Sequence, residues 1–140
     1  MVETSAELFA NSASLVGAIG YWPSFHDANV KEVRREGDVC RVLVHVFETT
    51  DKIDSKGGIV LAKHHLVTIQ MSGIVECTLP TNYQGDCLFG LGAERVGDSV
   101  KVVFDSAIDP EFTWHVLCRR AEVVNAESCD DAGQFERPAR

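Results

Sequence analysis

The sequence predicts an α+β fold, in which one N-terminal helix packs on a mostly antiparallel β-sheet meander of about seven strands. Two observations lead to this prediction. Apolar residues recur at helical spacing only near the N-terminus, and beyond Asp27 the period of the hydrophobic pattern changes to two. Short polar turns separate the strand-like segments, with no helical pattern between them, which is typical of antiparallel neighbours.

The predicted helix begins near Thr4. Thr4 and Glu7 match the capping box S/T-x-x-E, in which the two side chains satisfy each other's backbone donors. Gly17 and Gly20 mark its end. The apolar residues between these signals recur at helical spacing: Leu8, Phe9, Leu15, Val16 and Ile19. One short amphipathic helix is therefore expected.

Seven later segments read as strands, and they are residues 30–35, 39–48, 59–71, 74–79, 86–92, 99–105 and 112–124. Residues 36–38, Glu-Gly-Asp, have the composition of a hairpin turn, and Gly73 predicts a turn or bulge. In the second strand, one face carries Cys40, Val42, Val44 and Val46, and the other carries Arg41, Leu43, His45 and Phe47. We expect one domain over residues 1–124 and a frayed or disordered tail over 125–140.

The chain of 140 residues carries 13 Lys and Arg against 21 Asp and Glu, a net charge of −8. Such a surface repels nucleic acid and anionic lipid and favours a cationic protein partner. No run of 18 apolar residues predicts a membrane span. The five cysteines include no C-x-x-C pair, which is typical of buried thiols in a cytoplasmic protein.

Candidate functional residues are most concentrated in the segment between the helix and the first strand, which contains Trp22, Pro23, Phe25, His26 and Asp27. Pro23 favours an extended backbone at Trp22. His26 and Asp27 have the types of a general base and its orienting carboxylate, but neighbours on an extended chain point to opposite faces. We therefore favour a buried connector, in which Trp22 and Phe25 fill the seam between helix and sheet while His26 or Asp27 bonds turn backbone.

The remaining residues predict no catalytic site, no metal site and no cofactor, and hence a protein that is not an enzyme. His45, His64, His65 and His115 lie on predicted strands, but neither H-x-H nor H-E-x-x-H occurs among them. Cys87 follows Asp86, whose charge opposes formation of a thiolate. The chain also contains no G-x-S-x-G elbow and no phosphate-binding glycine loop.

Acidic residues in predicted loops are either ordinary solvated side chains or part of a face that binds a basic partner. The candidate partner-binding residues are Asp51, Asp54, Tyr83, Asp109 and Glu111. Tyr83 is included as an exposed aromatic anchor.

Residues 22–30, WPSFHDANV, resemble the opening segment of the immunity protein 50 type of bacterial polymorphic-toxin immunity proteins. Looser similarities follow at residues 45–48 (HVFE), 63–67 (KHHLV), 73–75 (GIV) and 79–82 (LPTN), so that the resemblance covers about residues 18–124. It implies a non-enzymatic protein that binds and neutralises a toxin encoded beside it. It also implies that the opening motif determines the fold more than it contacts the toxin.

Two other functions remain as alternatives. One is a small-ligand-binding β-domain with Trp22 and Trp114 lining a pocket. The other is a metal-binding or hydrolytic domain built around His26, Asp27 and His65. A homodimer formed by pairing of edge strands is also compatible with a long meander.

Overall fold

The computed structural model describes residues 5–80, 83 and 86–130. Two short helices, α1 (Ser5–Leu8) and α2 (Ser12–Ile19), precede most of the sheet. The strands are β1 (Phe9–Ala10), β2 (Asn29–Glu36), β3 (Val39–Ile53), β4 (Ile59–Cys77), β5 (Asp86–Val96), β6 (Ser99–Ser106) and β7 (Trp114–Ser128). One 3₁₀ turn, Pro110–Phe112, lies between β6 and β7. The protein is thus mostly β with short helices.

The six long strands form two antiparallel meanders, β2-β3-β4 and β5-β6-β7, which join each other twice. β4 pairs with β7 over most of its length, and the start of β2 pairs with the start of β5 at Asn29 and Cys87. Because β7 also pairs with β6, the sheet closes on itself. This closure is absent from the predicted simple meander, since it joins strands that are far apart in the chain.

The predicted set of strands also needs correction. Residues 59–71 and 74–79 were expected to form two strands, but they belong to the single strand β4. Gly73 has a φ of +67°, and the register shifts between Ile74 and Glu76, so the chain bends there and continues. The seventh strand is β1, which pairs with β7 in parallel, so the sheet is not wholly antiparallel.

The single predicted N-terminal helix is divided in two. Asn11 adopts a left-handed conformation with a φ of 60°, and its side-chain amide donates to the Val123 carbonyl at 3.0 Å. This turn separates α1 and β1 from α2. Gly20 ends α2 as expected, with a φ of 109° and its N–H donating to the Val16 carbonyl. The predicted capping residue Thr4 lies outside the described residues.

The core lies inside the closed sheet. The inward face of β3 is fully buried at Cys40, Val42, Val44 and Val46, as the alternation predicts. Leu15 of α2 is also buried in this core, and burial of each such side chain is worth about 1.5–3 kcal/mol. At one end, the rings of Phe104 and Trp114 stack with centroids 4.2 Å apart.

The ordered chain continues beyond the predicted boundary at Val124. β7 runs to Ser128, and the Cys129 N–H donates to the His64 carbonyl at 3.0 Å. Residues 125–128, which were expected to be part of a frayed tail, therefore belong to a strand, and residues 131–140 lie outside the described part of the chain. No helix among the described residues is long and apolar enough to cross a membrane.

Replacing Gly73 by alanine tests the bend in β4. An added Cβ would lie 2.9 Å from Arg119 Cβ, which is fixed to its backbone and cannot move aside. Gly97 has a similar φ of +60° but open space around it, so Gly97→Ala measures the left-handed strain alone, about 1 kcal/mol. We expect Gly73→Ala to cost at least about 1 kcal/mol more than Gly97→Ala in urea unfolding. Equal losses would show that the close approach to Arg119 has no energetic weight.

Candidate functional site: the connector between α2 and β2

The connector, residues 20–28, is fixed to β5 by backbone hydrogen bonds. The Asp27 N–H donates to the Leu88 carbonyl at 2.8 Å, and the Leu88 N–H donates to the Ala28 carbonyl at 2.7 Å. A tight turn precedes this pairing, in which the Ala28 N–H donates to the Phe25 carbonyl and the His26 N–H donates to Ser24 Oγ. The connector therefore continues the ladder between β2 and β5.

Two residues of this turn, Phe25 and Asp27, have left-handed backbones with φ of 62° and 65°. A bulky side chain rarely adopts this conformation, which costs on the order of 1–3 kcal/mol. Phe25 is held there because its ring is 2% exposed and packs edge-on against Trp22 at 5.6 Å. Trp22 is half-buried and in turn packs on Phe9 at 5.3 Å. Trp22 and Phe25 thus fill the seam in the way the sequence suggested.

The relation between His26 and Asp27 differs from the expectation. His26 Nδ1 lies 3.1 Å from Asp27 Oδ2, so the two side chains face each other. The prediction failed because it assumed an extended backbone, whereas the left-handed Asp27 turns its side chain back toward its neighbour. Both side chains are 56% exposed. The side chain of His26 or Asp27 was expected to bond the turn backbone. Instead the two side chains contact each other, and Ser24 Oγ accepts the hydrogen bond from the His26 backbone N–H.

An imidazole oriented by a carboxylate is part of a general-base arrangement, but it is also a directed hydrogen-bonding group for a partner. The His26 ring lies 5.4 Å from the ring of Phe89, which is 62% exposed. His65, the third member of the hydrolytic alternative, lies on β4, where its Nδ1 is 2.9 Å from the Lys63 carbonyl oxygen. The contacts of His26 therefore join it to an exposed aromatic surface.

The other histidines form separate pairs. His45 is 4% exposed, and its Nε2 lies 2.9 Å from His64 Nδ1. His115 Nε2 lies 3.4 Å from Glu76 Oε2. Among residues 5–80, 83 and 86–130, no group of three His, Cys, Asp or Glu side chains is arranged to hold a metal ion.

The candidate partner-binding residues are distributed over two connections. Asp51 is exposed on β3, and Asp54 Oδ1 accepts hydrogen bonds from the Lys56 and Gly58 N–H groups in the β3–β4 turn. Asp109 caps the 3₁₀ turn, because its Oδ1 accepts a hydrogen bond from the Glu111 N–H. The side chain of Glu111 is exposed. Asp54 and Asp109 therefore have structural roles.

Tyr83 does not have the exposed position expected of an anchor. It is half-buried, and its ring packs edge-on against Trp114 at 5.5 Å. It is better described as a residue that covers one end of the core.

Sequence reasoning missed the exposed apolar residues Phe89 and Ile108, which are 62% and 68% exposed. Leu88 is fully buried, and the pairing of β5 with β6 shifts between Leu88 and Gly90, so Phe89 lies in a bulge. A signal was present, because two consecutive apolar residues on a strand cannot both face the core in a regular pleat.

Two surface grooves lie away from the connector and Phe89. They have volumes of about 490 and 330 Å³ and share Arg34 and Arg41 on the outer face of β2 and β3. Arg41 Nε donates to Gln70 Oε1 at 2.6 Å across this face. Neither Trp22 nor Trp114 lines either of these two grooves.

Two cysteines lie deep in the core. Burial raises the pKa of both Cys40 and Cys118 to about 11. The Cys118 thiol donates to the Val100 carbonyl at 3.5 Å. Both thiols are therefore packing groups.

No protein-family model, curated protein or solved structure matches this chain.

Substitutions at Asp27 separate backbone strain from the contact with His26. Asp27→Gly and Asp27→Ala both remove the carboxylate, but only glycine adopts a φ of 65° without strain. We expect Asp27→Gly to be at least as stable as the wild type in urea unfolding, and Asp27→Ala to be about 1 kcal/mol less stable than Asp27→Gly. A loss above about 2 kcal/mol in both variants would mean that the side-chain contact holds the connector in place.

The core thiols of Cys40 and Cys118 are expected to resist alkylation. Burial raises the pKa of both from the ordinary thiol value of 9.0 to about 11, so at pH 8 each is ionised about 100-fold less than an ordinary thiol, and both are also inaccessible to reagent. Iodoacetamide should therefore label the partly exposed Cys77 and Cys87 well before Cys40 and Cys118. The folded protein also keeps protons that the unfolded chain loses, so the free energy of unfolding should fall as the pH rises from about 9 to 11. Equal labelling of all four thiols by mass spectrometry would contradict their burial.

Proposed function

We propose that this chain is a non-enzymatic immunity protein that binds and neutralises a cognate bacterial toxin domain encoded nearby. The observation that carries the proposal is the connector, whose sequence resembles the opening segment of the immunity protein 50 type. Its apolar residues Pro23, Phe25, Ala28 and Val30 are buried. This burial is what a fold-determining motif requires, and it supports extending the resemblance from the motif to the whole domain.

The buried residues of the connector thus have a role in the fold, whereas its strained turn supports a binding role for the two exposed residues His26 and Asp27. Phe25 and Asp27 are held in left-handed conformations, and the result is that His26 and Asp27 project into solvent together. Strain of this kind collects at functional sites, where it fixes a group in a conformation that the chain would otherwise avoid. A rigid, exposed polar pair next to an exposed aromatic ring is suited to contact with another protein.

Charge and thiol state fit the proposed partner and its compartment. A net charge of −8 attracts a basic protein, and toxin domains that act on nucleic acid are of this kind. The five cysteines form no disulfide with one another, which suits a reducing cytoplasm. The immunity protein would then meet its toxin inside the cell that makes both.

A co-expression experiment tests the proposal. The C-terminal domain of the protein encoded next to this chain is induced in a sensitive host, with this chain, with an empty vector, or with an acidic protein of similar size. We expect survival only with this chain, together with a complex that co-purifies. Killing in all three cultures, or the absence of a complex, would overturn the proposal.

The charge argument predicts how salt affects the purified complex. Raising the ionic strength from about 0.05 to 0.5 M should slow association about tenfold, because steering between opposite charges is screened. Dissociation should change much less, since it depends on contacts already formed. Stopped-flow or surface-binding kinetics measure both rates, and an association rate that does not respond to salt would contradict electrostatic steering.

A further inference from the structure

Phe89, near the start of β5, lies among exposed residues of the two segments that pair with β5 on either side of it. We call this set of residues the Phe89 surface. Its members come from the connector, from the β5 bulge, and from the end of β6 with the chain that follows: His26, Asp27, Phe89, Asp105, Ile108, Glu111 and Phe112.

Hydrogen bonds join these three segments into one scaffold. The connector bonds β5 through Asp27 and Leu88, as described above. On the other side, Leu88 pairs with Ser106, and the Ala107 N–H donates to the Cys87 carbonyl at 2.9 Å. The segments on either side of Phe89 are thus fixed to the same strand, which gives a partner a preorganised surface.

The apolar part of this surface has no evident role in folding. Leu88 already fills the core position, and the bulge turns Phe89 outward. Ile108 and Phe112 are 68% and 46% exposed nearby in the chain that links β6 to β7. Clustered exposed aromatic and aliphatic residues with a polar border are typical of protein-binding sites.

The charge of these segments is one-sided. Residues 20–30, 87–93 and 103–113 contain Asp27, Asp105, Asp109 and Glu111 but no Lys or Arg, so these 29 residues carry half of the net charge of −8. The exposed Ile53 and Ile59 of the β3–β4 hairpin form a useful contrast, because Lys52 and Lys56 balance the acidic residues around them. Apolar exposure and negative charge therefore coincide at the Phe89 surface.

The combination of exposed apolar residues and negative charge favours some binding partners over others. Nucleic acid would be repelled by the carboxylates. A second copy placed by two-fold symmetry would bring the same carboxylates together, which is unfavourable. A protein segment that presents arginine next to an apolar side chain fits well, because a guanidinium can stack on Phe89 and pair with Asp27 or Asp105.

We infer that the Phe89 surface is the docking site for an arginine-bearing segment of the partner protein. The inference rests on the proposed function, because it takes that partner to be the toxin domain. The apolar centre supplies the contact area, and the surrounding carboxylates orient the basic segment and accelerate its arrival.

Matched pairs of variants test the surface with the purified, catalytically inactivated toxin domain. Phe89→Ala is compared with Val75→Ala, which truncates another apolar side chain of about 60% exposure on β4. Asp105→Lys is compared with Asp98→Lys, which makes the same change in net charge at an exposed residue of the β5–β6 turn. Thermal unfolding of every variant controls for stability, and Asp105→Lys serves as the second probe should Phe89→Ala unfold.

We expect Phe89→Ala and Asp105→Lys each to weaken the Kd at least tenfold, and the two controls to change it less than threefold. If the wild type binds and rescues but the variants bind as their controls do, the Phe89 surface is not the docking site and the proposed function stands. If the wild type fails to bind the toxin domain, both proposals fall. Hydrogen exchange adds a positive test, since residues 24–28 and 87–90 should gain protection in the complex.

Discussion

Residues 116–118 of β7 pair with two strands at once. Val116 lies opposite Val102 of β6 and Cys77 of β4, and Cys118 lies opposite Val100 and Ile74. This double pairing joins the two meanders into a closed sheet and encloses the core. It also sets where β5 lies relative to β2, and thus where the connector meets Leu88. The arrangement of the candidate site is therefore a consequence of a strand that contributes no residue to it.

The features that the sequence predicted correctly depend on interactions between residues close together in the chain. The alternation along β3 placed Cys40, Val42, Val44 and Val46 on one face, and all four are buried together. Gly20 marked the end of α2 because only glycine easily adopts the conformation found there. Both Phe25 and Trp22 were expected to be buried between helix and sheet, and Phe25 is, whereas Trp22 is half-buried. Each of these depends on a residue and its near neighbours in the chain.

The parts that escaped prediction depend on distant contacts or on unusual backbone conformations. Asn11 divides the helix because its side chain bonds Val123, more than a hundred residues away. The facing pair of His26 and Asp27 requires a left-handed Asp27, and no local preference of the sequence made that conformation the expected one. The closure through β7 likewise depends on pairings that hydrophobic periodicity cannot reveal.

The closing strand is synthesised after all the strands with which it pairs. Until β7 has emerged, β4 and β6 each lack a neighbour with which they pair in the final structure, and the apolar faces of both meanders are incompletely covered. The nascent chain therefore exposes strand edges that other chains can use as templates. Folding of the nascent chain therefore competes with its association with other chains until β7 has been synthesised, and removal of β7 would leave those strand edges exposed.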